Sequence, residues 1–160
     1  MRSETVTTVL PAPKAKVFAY LAEIENLPRW ATDFARELKV VDGRHKVVNG
    51  LGEFFFAIDA DETTGVIDMR AGPTEAEMAL FPTRVVELPD GQCAFTFTMF
   101  QSPGSSDELF ESQHASLRRE FENIEREFAE DGSPKPPGRS PDFDGRPRRV
   151  PDLGRALDRE

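Results

Sequence analysis

Six side chains near the end of the chain, Phe110, His114, Leu117, Phe121, Ile124 and Phe128, recur at steps of 4, 3, 4, 3 and 4. At about 100° per residue they fall within one stripe roughly 80° wide. The opposite face carries Glu111, Arg118, Arg119, Glu122, Glu125 and Arg126. Ser105 and Glu108 have the spacing of a capping box at the start, and Gly132 and Pro134 supply stop signals. The spacing predicts one long helix over residues 107–128. Its phenylalanine-rich ridge must be buried against another apolar surface.

Residues 36–101 supply that surface, because there the period changes to two. Strands are expected at 37–41, 44–48, 53–60, 65–70, 75–88 and 93–101, and Pro82 marks a bulge or an edge in the fifth. Asp42-Gly43, Asn49-Gly50 and Pro89-Asp90-Gly91 are turn signals. Two-residue turns at the first two sites pair Leu38 with Val47, Val40 with His45, and His45 with Phe54. One face then carries Leu38, Val40, His45, Val47, Phe54, Phe56, Ile58 and Ala60. The other carries Lys39, Lys46, Glu53 and Asp59. On the last strand Cys93, Phe95, Phe97 and Met99 alternate with Ala94, Thr96 and Thr98, and the first set is expected to face the helix. Ahead of the sheet, residues 5–10 read as a strand closed by Pro11, and residues 14–24 as a helix. A second short helix is expected from Asn26 as N-cap, with Trp30 and Phe34 one turn apart on it.

The order is strand, two helices, antiparallel strands, long helix. It describes an α+β domain over residues 1–130, with a curved antiparallel sheet wrapped around the C-terminal helix. Residues 131–160 read differently. They hold six of the 13 prolines and little that is apolar, as in an extended tail or arm. Such an arm either stays solvated or packs on its own domain or a neighbouring subunit, which makes a homodimer through the tail a testable expectation.

Charge bears on partners. Of 20 basic and 29 acidic residues, seven and six lie beyond residue 130, so the folded part is strongly acidic. An acidic domain repels phosphate backbones, which argues against nucleic acid. No stretch approaches the roughly 20 apolar residues of a membrane helix, and no apolar leader opens the chain. The single cysteine, Cys93, suits a reducing compartment, and the cytoplasm is the expected location.

Four segments add a resemblance: V-F-A-Y-L-A-E-I-E-N-L-P-R-W at 17–30, G-V-I-D at 65–68, P-T-R-V-V at 82–86, and F-T-F-T-M-F-Q-S-P-G-S-S-D-E-L-F at 95–110. Together they resemble the polyketide cyclase/dehydrase branch of the START-like superfamily across residues 4–128. The resemblance implies a helix-grip fold with a cavity between sheet and long helix. It also implies binding or conversion of a hydrophobic small molecule of lipid, sterol or polyketide type. Similar chains often read G-V-x-D-H, and Met69 stands where that histidine would be.

The candidate site residues follow from both readings. His114 is the ionisable group on the helix ridge, able to orient a carbonyl or act as acid or base in a cyclase- or dehydratase-type enzyme. A position at the ridge's edge, reaching water, is the plainer alternative. His45 lies on the inward face near a hairpin end. Asp68 and Arg84 form either an ion pair between strands or polar groups at the cavity. Trp30 and Phe34 either cap the cavity mouth or pack helix to sheet. Phe54, Phe56, Met69, Phe95, Phe97, Met99, Phe110 and Leu117 are the candidate apolar lining. Two histidines and one cysteine, widely spaced, make no metal site, and no phosphate loop, dinucleotide fingerprint or nucleophile elbow occurs, so no cofactor is expected.

Overall fold

The computed structural model describes residues 1–129. The chain runs β1 (Ser3–Leu10), α1 (Lys14–Ala22), a 3-10 turn (Ile24–Asn26), α2 (Leu27–Trp30), then β2 (Glu37–Val41), β3 (Arg44–Asn49) and β4 (Gly52–Asp61). β5 (Val66–Gly72), β6 (Ala79–Phe81), β7 (Thr83–Leu88) and β8 (Gln92–Phe100) complete the sheet, and α3 (Asp107–Glu127) follows. The strands form one open antiparallel sheet in the order β1-β8-β7-β5-β4-β3-β2, with β6 also on β5. All three helices lie on one face. α1 packs on β5, β7 and β8, and α3 packs on β1 and α2.

Strand β8 shows why the layers close. It pairs along its length with β1 and β7. Cys93, Phe95, Phe97 and Met99 are buried, while Ala94, Thr96 and Thr98 are only partly covered. The same alternation buries Ile67, Met69 and Ala71 on β5, and Thr83 and Val85 on β7. These meet Phe110, Leu117, Phe121, Ile124 and Phe128 from α3. Each large apolar side chain so enclosed contributes about 1.5–3 kcal/mol relative to exposure. No described helix is long and apolar enough to cross a membrane.

The expected elements are present, and the differences have local causes. α1 ends at Ala22 rather than at 24 because Glu23 is extended, and its carboxylate accepts the Glu25 N–H at 3.3 Å. Asn26 takes the N-cap position of α2 as expected, but its side chain makes no cap bond, and its amide donates to the Tyr20 carbonyl at 3.0 Å. α2 ends at Trp30, where Ala31 leaves helical geometry, so Phe34 lies beyond it instead of one turn along it from Trp30. The N-cap of α3 is Ser106, whose hydroxyl accepts the Leu109 N–H at 3.1 Å, so Ser105 and Glu108 form no capping box. α3 stops at Glu127; the expected stop residues Gly132 and Pro134, and the expected arm, lie outside the described residues. Pro82 breaks the fifth expected strand into β6 and β7. It lacks an N–H but its carbonyl accepts from the Thr98 N–H at 2.9 Å.

The first hairpin has the expected register, with Val40 opposite His45 and Leu38 opposite Val47. Asp42 and Gly43 both take positive φ there, as a primed two-residue turn requires. The second hairpin is slipped by two residues, with Val47 opposite Phe54 and Asn49 opposite Gly52. Asn49 stays in the strand because its side chain accepts the Leu51 N–H at 2.9 Å and donates to the Phe34 carbonyl at 2.8 Å. The turn residues thus become Gly50 and Leu51. A slip of two leaves every side chain on its expected face.

Candidate functional site

β3 and β4 pair from Asn49 opposite Gly52 to Lys46 opposite Phe55, and then part. β2 continues along β3 to Arg44, and β4 continues along β5 to Asp61. The first hairpin turns back too early to accompany a ten-residue strand. Residues 56–61 of β4 therefore have no strand beside that edge among the described residues.

A groove of about 430 Å³ opens in this split. Ala22, Glu23 and Ile24 reach it from the end of α1 and the turn beyond, and Arg44 and His45 from β3. Phe55, Phe56, Ala57, Ile58 and Ala60 reach it from β4, and Glu75 and Met78 from the loop after β5. Eight of these twelve residues are apolar, and the four polar ones are Glu23, Arg44, His45 and Glu75. Arg44 bridges to Glu75 at 2.6 Å, holding that loop to β3. His45 Nε2 lies 3.8 Å from the Glu25 carboxylate. The loop is also held from below: a Cβ on Gly72 would sit 1.9 Å from the Glu77 carbonyl oxygen, so the close approach requires glycine.

Of the lining expected from sequence, His45 and Phe56 reach the groove. The rest lie elsewhere. Phe121 stacks on Phe95 at 5.1 Å and meets Phe97 edge-on at 6.4 Å, while Trp30 meets Phe95 edge-on at 6.4 Å. Met69, Met99, Phe110 and Leu117 are buried in the same core, and Phe54 packs at its margin. The gap expected between helix ridge and sheet is thus closed at these rings, because bulky aromatics on both surfaces interdigitate. Phe34 packs at 5.8 Å on Phe56, which lines the groove. Asp68 and Arg84 follow the strand alternation to the outer face, between buried Ile67 and Met69 and between buried Thr83 and Val85. No ion pair joins them among the described residues; Arg84 Nε donates to the Thr64 carbonyl at 3.2 Å. His114 is half-buried on α3 and does not line the groove. The acid–base set of the enzymatic alternative is therefore divided between the two faces of the sheet.

The groove residues that sequence reasoning passed over had one usable signal. Expected strands of five residues at 37–41 and 44–48 cannot cover an eight-residue strand at 53–60.

A second feature lay hidden in the helix. Glu120 on α3 is 4% exposed, and one carboxylate oxygen accepts the backbone N–H groups of Asp33 at 3.0 Å and Phe34 at 2.8 Å. Burial raises its pKa to about 7, against the lowering effect of those two hydrogen bonds. Nearby, Asp33 pairs with Arg119 at 3.1 Å, and Asn123 donates to the Trp30 carbonyl at 2.9 Å. Together they fasten the segment after α2 to α3. No group of three or more potential metal ligands occurs among the described residues.

No family model and no curated protein matches the chain. Solved structures do. The protein XoxI from Bacillus cereus superposes with a TM-score of 0.64 at 13% identity, over 80% of this chain and 96% of that one. The aromatase/cyclase Zhui from Streptomyces sp. R1128 gives 0.56 at 18%, over 78% and 89%. A START superfamily protein from Mycobacterium smegmatis gives 0.57 at 12%, over 79% and 96%. At such identities the likeness shows the fold alone: an antiparallel sheet gripping a C-terminal helix.

Proposed function

From this START-like helix-grip fold, we propose that the chain binds a small hydrophobic molecule in the groove where β3 and β4 part. The carrying observation is an open volume of about 430 Å³ lined by eight apolar and four polar residues. That is the composition and size expected of a ligand pocket. The resemblance to lipid-, sterol- and polyketide-handling chains supports the same class of guest, with His45 and Glu23 available to a polar group on it. A carrier or sensor fits better than a cyclase or dehydratase, since His114, Asp68 and Arg84 do not converge. A cytoplasmic setting accords with the single free, buried Cys93.

Native mass spectrometry of the freshly purified full chain tests the proposal, followed by denaturation to release any guest. The expected result is a bound small-molecule mass that denaturation removes and that Ala60→Trp, which obstructs the groove, prevents. Absence of any guest, together with no saturable uptake of an apolar fluorescent dye that Ala60→Trp abolishes, would overturn it.

A further inference from the structure

We infer that the free edge of β4 is a docking site for an extended, arginine- and proline-bearing peptide segment, and that its occupant is residues 146–151 of this same chain. The inference rests on the shape and charge of the groove, whatever guest its floor holds.

The edge is the first observation. Residues 56–61 of β4 bond to β5 on one side and to no described strand on the other. Unpaired strand edges invite another strand, and proteins commonly cover them. The groove beside this edge gives an added segment room that a flat sheet edge lacks.

Charge is the second. Glu23 lines the groove, Glu25, Asp59, Asp61 and Glu62 stand close around it in sequence and register, and the nearby cations Lys14 and Arg84 are engaged by the Thr63 and Thr64 carbonyls. Arg44 and Glu75, which also line it, neutralise each other. The surface favours a cationic visitor.

The sequence beyond the described residues supplies one. Arg-Pro-Arg-Arg-Val-Pro at 146–151 has three arginines and matches the six residues of free edge. Its prolines are spaced correctly for a ladder. Pro147 and Pro151 share one parity, so when the N–H groups of Arg146, Arg148 and Val150 face β4, both prolines face away, where no N–H is needed. Reach is ample. Just beyond α3, Phe128 meets Tyr20 of α1 edge-on at 5.3 Å, and α1 leads to the groove wall at Ala22. The 16 residues from 130 to 145 span up to ~53 Å when extended, against a radius of gyration of about 14 Å for a domain of this size. A tether of that length holds the segment near the groove at roughly millimolar effective concentration.

Disulfide trapping in the full chain tests this, and it needs no knowledge of the guest. Ala60→Cys with Val150→Cys is compared with Leu51→Cys with Val150→Cys under mild oxidation. Leu51 is 65% exposed on the turn at the far end of the hairpin, and the native Cys93 is fully buried. The expected result is an intramolecular link at least ten times faster in the first pair. That advantage should disappear when R146E, R148E and R149E are added. Equal rates in both pairs, links predominantly between molecules, or indifference to the arginine reversals would each overturn the inference. Segment and guest would share the groove at Ala60, so failure of the link leaves the small-molecule proposal standing, and that proposal is read separately as a bound mass.

Discussion

Replacing Glu120 by Gln should change how stability depends on pH more than it changes stability itself. The carboxyl is buried and its pKa lies at about 7, against an ordinary value of 4.5. Between those two values the folded state holds a proton that the unfolded state has released. Stability from this group is therefore fully present below pH 4.5 and is lost as pH rises through 7. At 1.36 kcal/mol per pKa unit, the loss is about 3 kcal/mol between pH 4.5 and 8. Gln retains the oxygen that accepts the Asp33 and Phe34 N–H groups and cannot ionise. Wild-type stability minus variant stability should thus fall by about 3 kcal/mol across that range, whatever fixed cost the new NH₂ group brings. Carboxylates elsewhere, such as Asp107, which Gln101 and Arg2 hold below the usual range, titrate equally in both proteins and cancel. Urea unfolding at several pH values, followed by the fluorescence of the buried Trp30, measures the difference. Curves for the two proteins that run parallel within about 0.5 kcal/mol, well under the expected change, would show that Glu120 is not held neutral by its burial.

Two further predictions address the core and the groove. Phe121→Ala removes the ring that stacks on Phe95 and meets Phe97, and should cost about 3–5 kcal/mol in denaturant unfolding. A cost below about 1 kcal/mol would mean that helix and sheet are not in full contact there. Gly72→Ala puts a methyl against the Glu77 carbonyl and should displace the loop after β5, costing about 1–3 kcal/mol. It should also weaken dye uptake several-fold, because Glu75 and Met78 lie on that loop. Unchanged uptake would detach the loop from the binding surface.

The amphipathic stripe of α3, the inward set of β8 and the Asp42-Gly43 turn were all legible in the sequence. Each depends on local periodicity or on a backbone conformation that few residues adopt. Face assignments survived even the two-residue slip at Asn49, because side-chain direction depends only on parity. Which apolar residues would touch one another was not legible. Phe95, Phe97 and Phe121 look the same in sequence whether they line a space or fill it, and only the separation of two packed surfaces decides. The groove arises where one hairpin ends before its neighbour, a mismatch between elements that no single segment encodes. Glu120 lies about 40° outside the apolar stripe, on an ideal helix wheel at the border of the solvated face. It is buried because the segment after α2 crosses over it. Local order was thus set by the spacing of residues along the chain, whereas the open space and the raised carboxyl pKa were set by which distant segments came to lie side by side.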